Sequence, residues 1–372
     1  MLPDWTFAGC PVPPAYNLDF DALVRRYPML SPMAACMQDP VWHAEGDVLT
    51  HTRMVCEALV AAPDWRALAP VARQIVFAAA LLHDVAKPMV TKLEDGRLRS
   101  RGHAVRGARV TRRLLMEAGV PFAEREAVVA LVRHHGLPAT LVDKPDPQRS
   151  LLLAAATARC DWLAILATAD GAGRICRLPD DTPARLGLFH DACREHGCWT
   201  GPYPFASPAS RVRYFRAPGT PPTQQVYDAA TFDVTLMAGL PAAGKDHWLR
   251  EHYAGPVVSL DDLRGTMKVD PADDQGAVVT AAKELAKDHL RHRRSFAWNG
   301  TNTGRPLRDG LIELFLAYGA RVRIVYFEAS PDVVRDRNRR RDRPVPAWVI
   351  DKLLDHLDVP DETEAHVVEV AD

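Results

Sequence analysis

The sequence predicts a multidomain chain, an all-α helical domain followed by an α/β domain built on a parallel sheet, and three observations predict this division. From about Val48 to Arg177 apolar residues recur at three- and four-residue spacing with no strand-like alternation, the pattern of successive helices. Beyond Phe232 short β-like runs alternate with helical stretches, as in a parallel sheet with crossover helices. At 372 residues the chain also exceeds one ordinary core, given about 100–200 residues per domain.

The helical domain is expected over residues 1–195. Between His196 and Gln225 stand Pro202, Pro204, Pro208, Pro218, Pro221 and Pro222 with Gly197, Gly201 and Gly219, a density that ends regular helices. An extended linker is therefore expected over 196–231, and the second domain over 232–372. In that domain Phe232–Met237, Pro256–Ser259, Ser295–Trp298 and Arg321–Phe327 read as strands. One helix start is legible after them: Ser330 as N-cap, Pro331 in the first turn and Asp332 at the positive end of the dipole. It leads into six arginines and three aspartates between positions 332 and 343.

The composition, 47% hydrophobic and 25% charged, is that of a globular protein without a membrane-spanning run, and the start Met1-Leu2-Pro3-Asp4-Trp5 does not read as a secretory signal. A cytoplasmic location is expected. A net charge of −1 excludes a global electrostatic attraction to nucleic acid, so any polynucleotide must be held by local basic patches. Seven cysteines with no Cys-x-x-Cys pair point to reduced thiols. The segment His190 to Cys198, with His190, Cys193, His196 and Cys198, reads either as a metal site of unfamiliar spacing or as a plain helix end.

Two motifs carry chemistry. The first is Leu81-Leu82-His83-Asp84-Val85-Ala86-Lys87. A divalent ion acting beside a phosphate needs hard oxygen and imidazole ligands converging from several places. His83 and Asp84 supply two, and Lys87, three residues after Asp84, is placed to neutralise a phosphate oxygen. Further candidates recur along the helices: His51, His103, His134-His135 and Asp170. Adjacent helical residues point about 100° apart, so only one of the pair is expected to ligate, and His135 shares its face with Val128, Leu131 and Val132. Asp170 is preferred over Asp161 on the same reasoning. Arg174, one turn beyond Asp170, is a phosphate clamp or a surface charge, and His43 a core or capping histidine or a substrate contact.

This order of residues, from roughly Trp42 to Arg174, resembles the HD-domain metal-dependent phosphohydrolases, and Trp42-His43, His51-Thr52, Leu82-His83-Asp84 and Gly102-His103 are similar to the HD domain of bacterial CCA-adding enzymes. The resemblance implies one metal held by His51, His83, Asp84 and Asp170, and a second available to His103 and His135. The His-rich set implies a transition metal such as Mn²⁺, Co²⁺ or Ni²⁺.

The second motif is Gly239-Leu240-Pro241-Ala242-Ala243-Gly244-Lys245-Asp246, which follows a strand and opens a helix as a phosphate-cradling loop does. Backbone N–H groups surround the phosphates of a bound nucleotide, and Lys245 reaches the β and γ groups. Asp246 stands where a magnesium-binding Ser or Thr is usual, and Ala242 is acceptable if its φ is negative. The next strand ends in Ser259-Leu260-Asp261-Asp262-Leu263-Arg264, which sets carboxylates facing the nucleotide crevice. Transfer to an alcohol needs a base there; Asp261 is the candidate and Asp262 an alternative base or helix cap.

These residues, with Trp298-Asn299-Gly300-Thr301-Asn302, Arg337-Asn338, Arg341 and Val345-Pro346, resemble the kinase domain of 5′-hydroxyl polynucleotide kinases. The resemblance implies Asp261 as general base, Arg264 on the acceptor phosphate and Arg341 as the arginine of a lid over the donor phosphates, with Arg337 and Val345 beside the substrate. No carboxylate follows the strand Ser295–Trp298; Asn299 there is a polar contact to metal or phosphate, or structural. Both halves together resemble a bacterial fusion of an HD phosphohydrolase with a polynucleotide kinase. The expected activity is transfer of a phosphate from ATP or another NTP, with Mg²⁺, to 5′-OH ends, and removal of 3′- or 2′-phosphates from RNA or DNA, with a ligase acting downstream. The alternative is a small-molecule kinase fused to a nucleotidase. A binding module without turnover is disfavoured, because Lys245, Asp261, His83 and Asp84 are intact.

Overall fold

The computed structural model describes residues 5–177, 181–270, 273–341 and 344–371, so Asp342 and Arg343 of the arginine run lie outside the described residues. Its contacts divide the chain into Met1–Pro204 and Phe205–Asp372.

In the first unit the local sequence sets each helix start. Asp47 accepts the Thr50 N–H at 2.8 Å and opens Val48–Ala61, and Pro70 occupies the first turn of Pro70–Leu82. The latter helix is apolar on every side, and Ile75 through Leu82 are all buried. Such a helix must be enclosed: it packs on Val48–Ala61 and Phe122–His134, with His103–Glu117 against the second of these. Its carboxyl end delivers His83 into the centre of the unit. Cys160–Ala172 lies on Val48–Ala61, and a Cβ at Gly173 would stand 2.6 Å from the Val55 amide nitrogen. Any side chain at that glycine would push Asp170 away from His51.

A hairpin interrupts the helices: β1 (Lys92–Glu94) pairs antiparallel with β2 (Arg97–Arg99). Asp95 and Gly96 between them have φ of 51° and 74°, as a two-residue type I′ turn requires. Strands three residues long are too short to register as alternation.

The second unit is a five-stranded parallel sheet in the order β4 (Val257–Ser259), β5 (Phe296–Asn299), β3 (Asp233–Gly239), β6 (Arg321–Phe327), β7 (Val367–Ala371). Central β3 is buried from Val234 to Gly239, which explains its continuous apolar run. The phosphate-type loop therefore leaves the middle of the sheet. The last strand, Val-Val-Glu-Val-Ala at one edge, was not evident from the sequence; it is half exposed and short. Ser330 caps Pro331–Arg339 as expected.

Within the stretch expected to be an extended linker, Pro208–Arg216 is a helix. Ser207 accepts the Ser210 N–H at 3.0 Å, and Pro208 sits in the first turn, where proline starts a helix rather than ending one. Arg211 donates to the carbonyls of Glu362 and His366, so this helix is fastened to the second unit. Among the described residues no single helix is long and apolar enough to cross a membrane.

Candidate active sites

In the first unit four histidines converge on one carboxylate. Asp84 is 1% exposed; its Oδ2 lies 3.2 Å from His83 Nε2 and 3.9 Å from His51 Nε2, and its Oδ1 lies 3.5 Å from His103 Nε2 and 3.9 Å from His135 Nε2. Two potential metal-holding sets result, His51/His83/Asp84 and Asp84/His103/His135, which share this residue. Asp170 joins the first, with Oδ1 3.1 Å from His51 Nε2 and 3.3 Å from Arg174.

The backbone settles the tautomers. The Nδ1 atoms of His83, His103 and His135 lie 2.8 Å from the carbonyls of Ala80, Ser100 and Val132, and His51 Nδ1 lies 3.2 Å from the Gly173 carbonyl. A carbonyl only accepts, so each Nδ1 carries a hydrogen and each Nε2 is the ring atom turned inward; that of His51, 3.1 Å from Asp170 Oδ1, holds a second proton that an ion must displace. His103 Nε2 and His135 Nε2 then face each other at 3.2 Å, two lone pairs that need a cation between or beside them. His83 Nε2 and Asp84 Oδ1 are buried with no hydrogen-bond partner. Four imidazoles and two carboxylates, with His83 Nε2 and Asp84 Oδ1 left without partners, fit a divalent transition metal. His51, His83, Asp84 and Asp170 would hold one such ion, and Asp84, His103 and His135 a second; it would supply Lewis-acid chemistry there.

Electrostatics divides the two sets. Burial disfavours a charged His51, but Asp170, Glu45 and Asp84 outweigh it and raise its pKa to about 9. Burial lowers His135 to about 4 and also pulls His103 down, each against the opposing pull of Asp84. Burial alone would raise the pKa of Asp84 and of Asp170; His83 and Lys87 hold the first well below the usual range, and His51 and Arg174 the second. At neutral pH His51 is protonated and must lose that proton to bind an ion, whereas His103 and His135 are already neutral. Mn²⁺ affinity of the first set should therefore rise roughly tenfold per pH unit up to about pH 9, and that of the second stay nearly flat, as read by calorimetric titration across that range.

A cavity of about 390 Å³ opens beside the cluster, lined in part by Trp42, His43, Lys87, Arg97, Arg99 and Arg174. Lys87 Nζ reaches Asp84 at 2.6 Å and donates to Gln38 at 2.7 Å. His134, the neighbour of His135, instead meets Thr157 at 3.4 Å. Glu45 was missed by sequence reasoning. Its Oε1 stands 2.7 Å from His43 Nδ1 and 3.0 Å from His51 Nδ1, and its Oε2 accepts the Ile175 N–H at 2.9 Å. A lone glutamate in the turn before a helix carries no periodic signal; only the fold brings it to His51. Glu45→Gln should weaken Mn²⁺ binding about 10–100-fold by loosening the orientation of His51, as carboxylates behind metal-bound histidines do, with metal titration as the check.

In the second unit the loop after β3 forms the floor of a cavity of about 410 Å³. Gly239 has φ 140°, and a Cβ there would stand 2.8 Å from the Phe327 carbonyl, so only glycine passes β6 at this point. Ala242 has φ 60°, not the negative value that would make alanine acceptable. The left-handed conformation costs about 1–2 kcal/mol for a residue with a Cβ, against about 0.5–1 kcal/mol of chain entropy for glycine. Ala242→Gly should stabilise this unit by roughly 0.5–1 kcal/mol in denaturant unfolding.

Lys245 Nζ donates to the carbonyls of Gly239 (3.0 Å) and Leu240 (2.7 Å), and burial lowers its pKa to about 8 against the pull of Asp246 and Asp261. Asp246 Oδ1 accepts from Asn299 Nδ2 at 2.6 Å, while Asn299 Oδ1 is buried without a hydrogen-bond partner. Asn299, at the end of β5, thus orients Asp246. The loop, Lys245 and this oxygen pair fit a nucleoside triphosphate with its magnesium.

Ser259 caps the helix Leu260–Met267 by accepting the Asp262 N–H at 3.2 Å, so the cap is Ser259 and not Asp262. Asp261 is half exposed at the cavity mouth, ion-paired to Arg264 and 3.5 Å from Arg341. Arg264 also donates to Gln275 at 2.7 Å. Arg337 donates to the Ala243 carbonyl at 3.3 Å, reaching the loop itself. Buried Asn338 bonds both the N–H and the carbonyl of Val345, at 2.9 and 2.8 Å, and so closes the arginine segment onto the cavity wall. A pair hidden from sequence reading, Arg308 and Glu364, is fully buried; Arg308 also donates to the Asn302 carbonyl, and Asn302 donates to Met237 behind the loop.

Residues 48–166 match the family model described as HD domain, and residues 234–360 match the one described as AAA domain. No curated protein matches the chain. The chain carries an HD domain, the fold of metal-dependent hydrolases, followed by a P-loop, kinase-like domain.

Proposed function

We propose that the chain heals nucleic-acid ends: the P-loop domain phosphorylates 5′-OH termini from ATP or another NTP, and the HD domain removes 3′- or 2′-phosphates. The observation that carries this reading is the grouping of Arg264 and Arg341 on Asp261 at the mouth of the nucleotide cavity. A 5′-terminal nucleotide of a strand brings its own phosphate beside the reactive hydroxyl, and Arg264 is placed to hold it while Asp261 takes the hydroxyl proton. Arg341 faces the same carboxylate from the lid, where it would balance charge on the transferred group. Asp246, oriented by Asn299, would hold a magnesium ion, which would supply charge neutralisation on the donor phosphates.

In the HD domain Lys87, Arg97, Arg99 and Arg174 line the cavity; Lys87, Arg97 and Arg174 pair with Asp84, Asp39 and Asp170, while the Nε atoms of Arg99 and Arg174 have no hydrogen-bond partner. This supports a substrate with several phosphates, RNA or DNA, with His43 and Trp42 beside its terminal nucleotide. Ends with 5′-phosphate and 3′-OH are the substrates of a ligase, the expected next step. The test is an oligonucleotide bearing 5′-OH and 3′-phosphate, incubated with ATP, Mg²⁺ and Mn²⁺. Conversion at both ends is expected; turnover of mononucleotides alone would favour a small-molecule kinase fused to a nucleotidase.

A further inference from the structure

Apart from both sites, the first unit holds three cysteines whose sulfur atoms lie within 4.8 Å of one another: Cys160, Cys193 and Cys198, none with any exposed surface. Two helix ends bring them together. Thr182–Glu195 closes in a Schellman turn: Gly197 has φ 62°, its N–H donates to the Arg194 carbonyl at 3.1 Å, and the Cys198 N–H donates to the Cys193 carbonyl at 2.9 Å. This turn sets the side chains of Cys193 and Cys198 side by side, where an apolar pair usually packs. Cys160 enters from the first turn of Cys160–Ala172, whose start is tied to the same loop by the Asp161 N–H donating to the Trp199 carbonyl at 3.0 Å. The two histidines of the segment stand apart: His190 bonds Asp191 and Arg194 at the surface, and His196 lies near Gln148.

We infer that Cys160, Cys193 and Cys198 form a structural site for a divalent thiophilic ion of the zinc type. Three converging sulfurs from two segments are the donor set such an ion selects. Binding releases three thiol protons to solvent and forms three metal–sulfur bonds, with no change of oxidation state. The resulting charge of −1 lies at the positive end of the Cys160–Ala172 helix. A monovalent ion would leave −2 in a buried site, which selects the divalent one. Among the described residues no fourth His, Cys, Asp or Glu joins the set. The ion fastens the helix that carries Asp170 to the end of Thr182–Glu195.

The full-length chain, made metal-free and reduced, is titrated with Co²⁺ while the near-ultraviolet thiolate-to-cobalt absorption is followed, a band that imidazole and carboxylate sites do not give. A band whose final intensity corresponds to one thiolate-bound cobalt per chain, and which Zn²⁺ bleaches, is expected, with its loss in Cys160→Ser and Cys193→Ser. Wild-type protein decides alone if those variants fail to fold. No band from a chain with all three thiols reduced, or a disulfide within the set in protein purified without reductant, overturns the assignment.

Discussion

Asp84→Asn abolishes release of phosphate from an oligonucleotide 3′ end, by more than about 100-fold, while 5′ phosphorylation by the same preparation proceeds at the wild-type rate. The size of the loss follows from position. Asp84 is the one residue common to both sets of potential metal ligands, one oxygen turned toward His51 and His83 and the other toward His103 and His135. Removing its charge costs both sets their shared anion. Alanine at this position would also strand Lys87, 2.6 Å away and buried, and a buried pair broken on one side costs about 3–5 kcal/mol. Asparagine keeps the shape and a hydrogen-bond acceptor for Lys87, so a folded variant is expected, with metal titration showing weakened binding. Loss of kinase activity in folded Asp84→Asn would contradict separate sites.

The candidate site was legible where chemistry repeats along the chain and illegible where the fold alone makes a contact. His83 and Asp84 stand out because a charged pair ends an otherwise apolar helix, and the loop from Gly239 to Lys245 because its glycines sit at fixed offsets between a strand and a helix. The parallel sheet was readable from buried runs such as Val234–Met237, since a strand covered on both faces is apolar throughout. The edge strand Val367–Ala371 and the three-residue hairpin strands lack such a run. Gln38 and the Arg308–Glu364 pair have no pattern in sequence because each meets its partner across a long separation, and Glu45, though close to His51 in sequence, sits in the turn before the helix and outside its periodicity. The proline-rich stretch misled in one place: Pro208 follows a capping serine, and proline after such a residue begins a helix. The segment from His190 to Cys198 is a helix end, one of the two readings its sequence allowed, and Cys160 comes to Cys193 and Cys198 from another helix.

Asp261→Ala lowers 5′-phosphorylation about 10²–10⁴-fold, the range a positioned base contributes, and leaves 3′-phosphate removal intact. The loss should fall on kcat and not on the KM for ATP, because the residues around the donor phosphates, Lys245 and the loop from Gly239 to Gly244, are untouched. Asp261 is about half exposed, so its pairs with Arg264 and Arg341 are screened and its removal should change stability by no more than about 1 kcal/mol. Arg264→Ala separates the readings of the acceptor. If Arg264 holds the phosphate adjoining the 5′-OH, the variant raises the KM for an oligonucleotide about tenfold or more and leaves phosphorylation of a nucleoside unaffected, since a nucleoside has no such phosphate. Equal losses on both acceptors would mean that Arg264 acts only through Asp261, as the ion pair between them also allows, and the polynucleotide reading would lose its main support. Asp261→Asn sharpens the comparison further: the amide still accepts a hydrogen bond from Arg264 but cannot take a proton, so a kcat as low as that of alanine assigns the defect to proton transfer rather than to a displaced arginine.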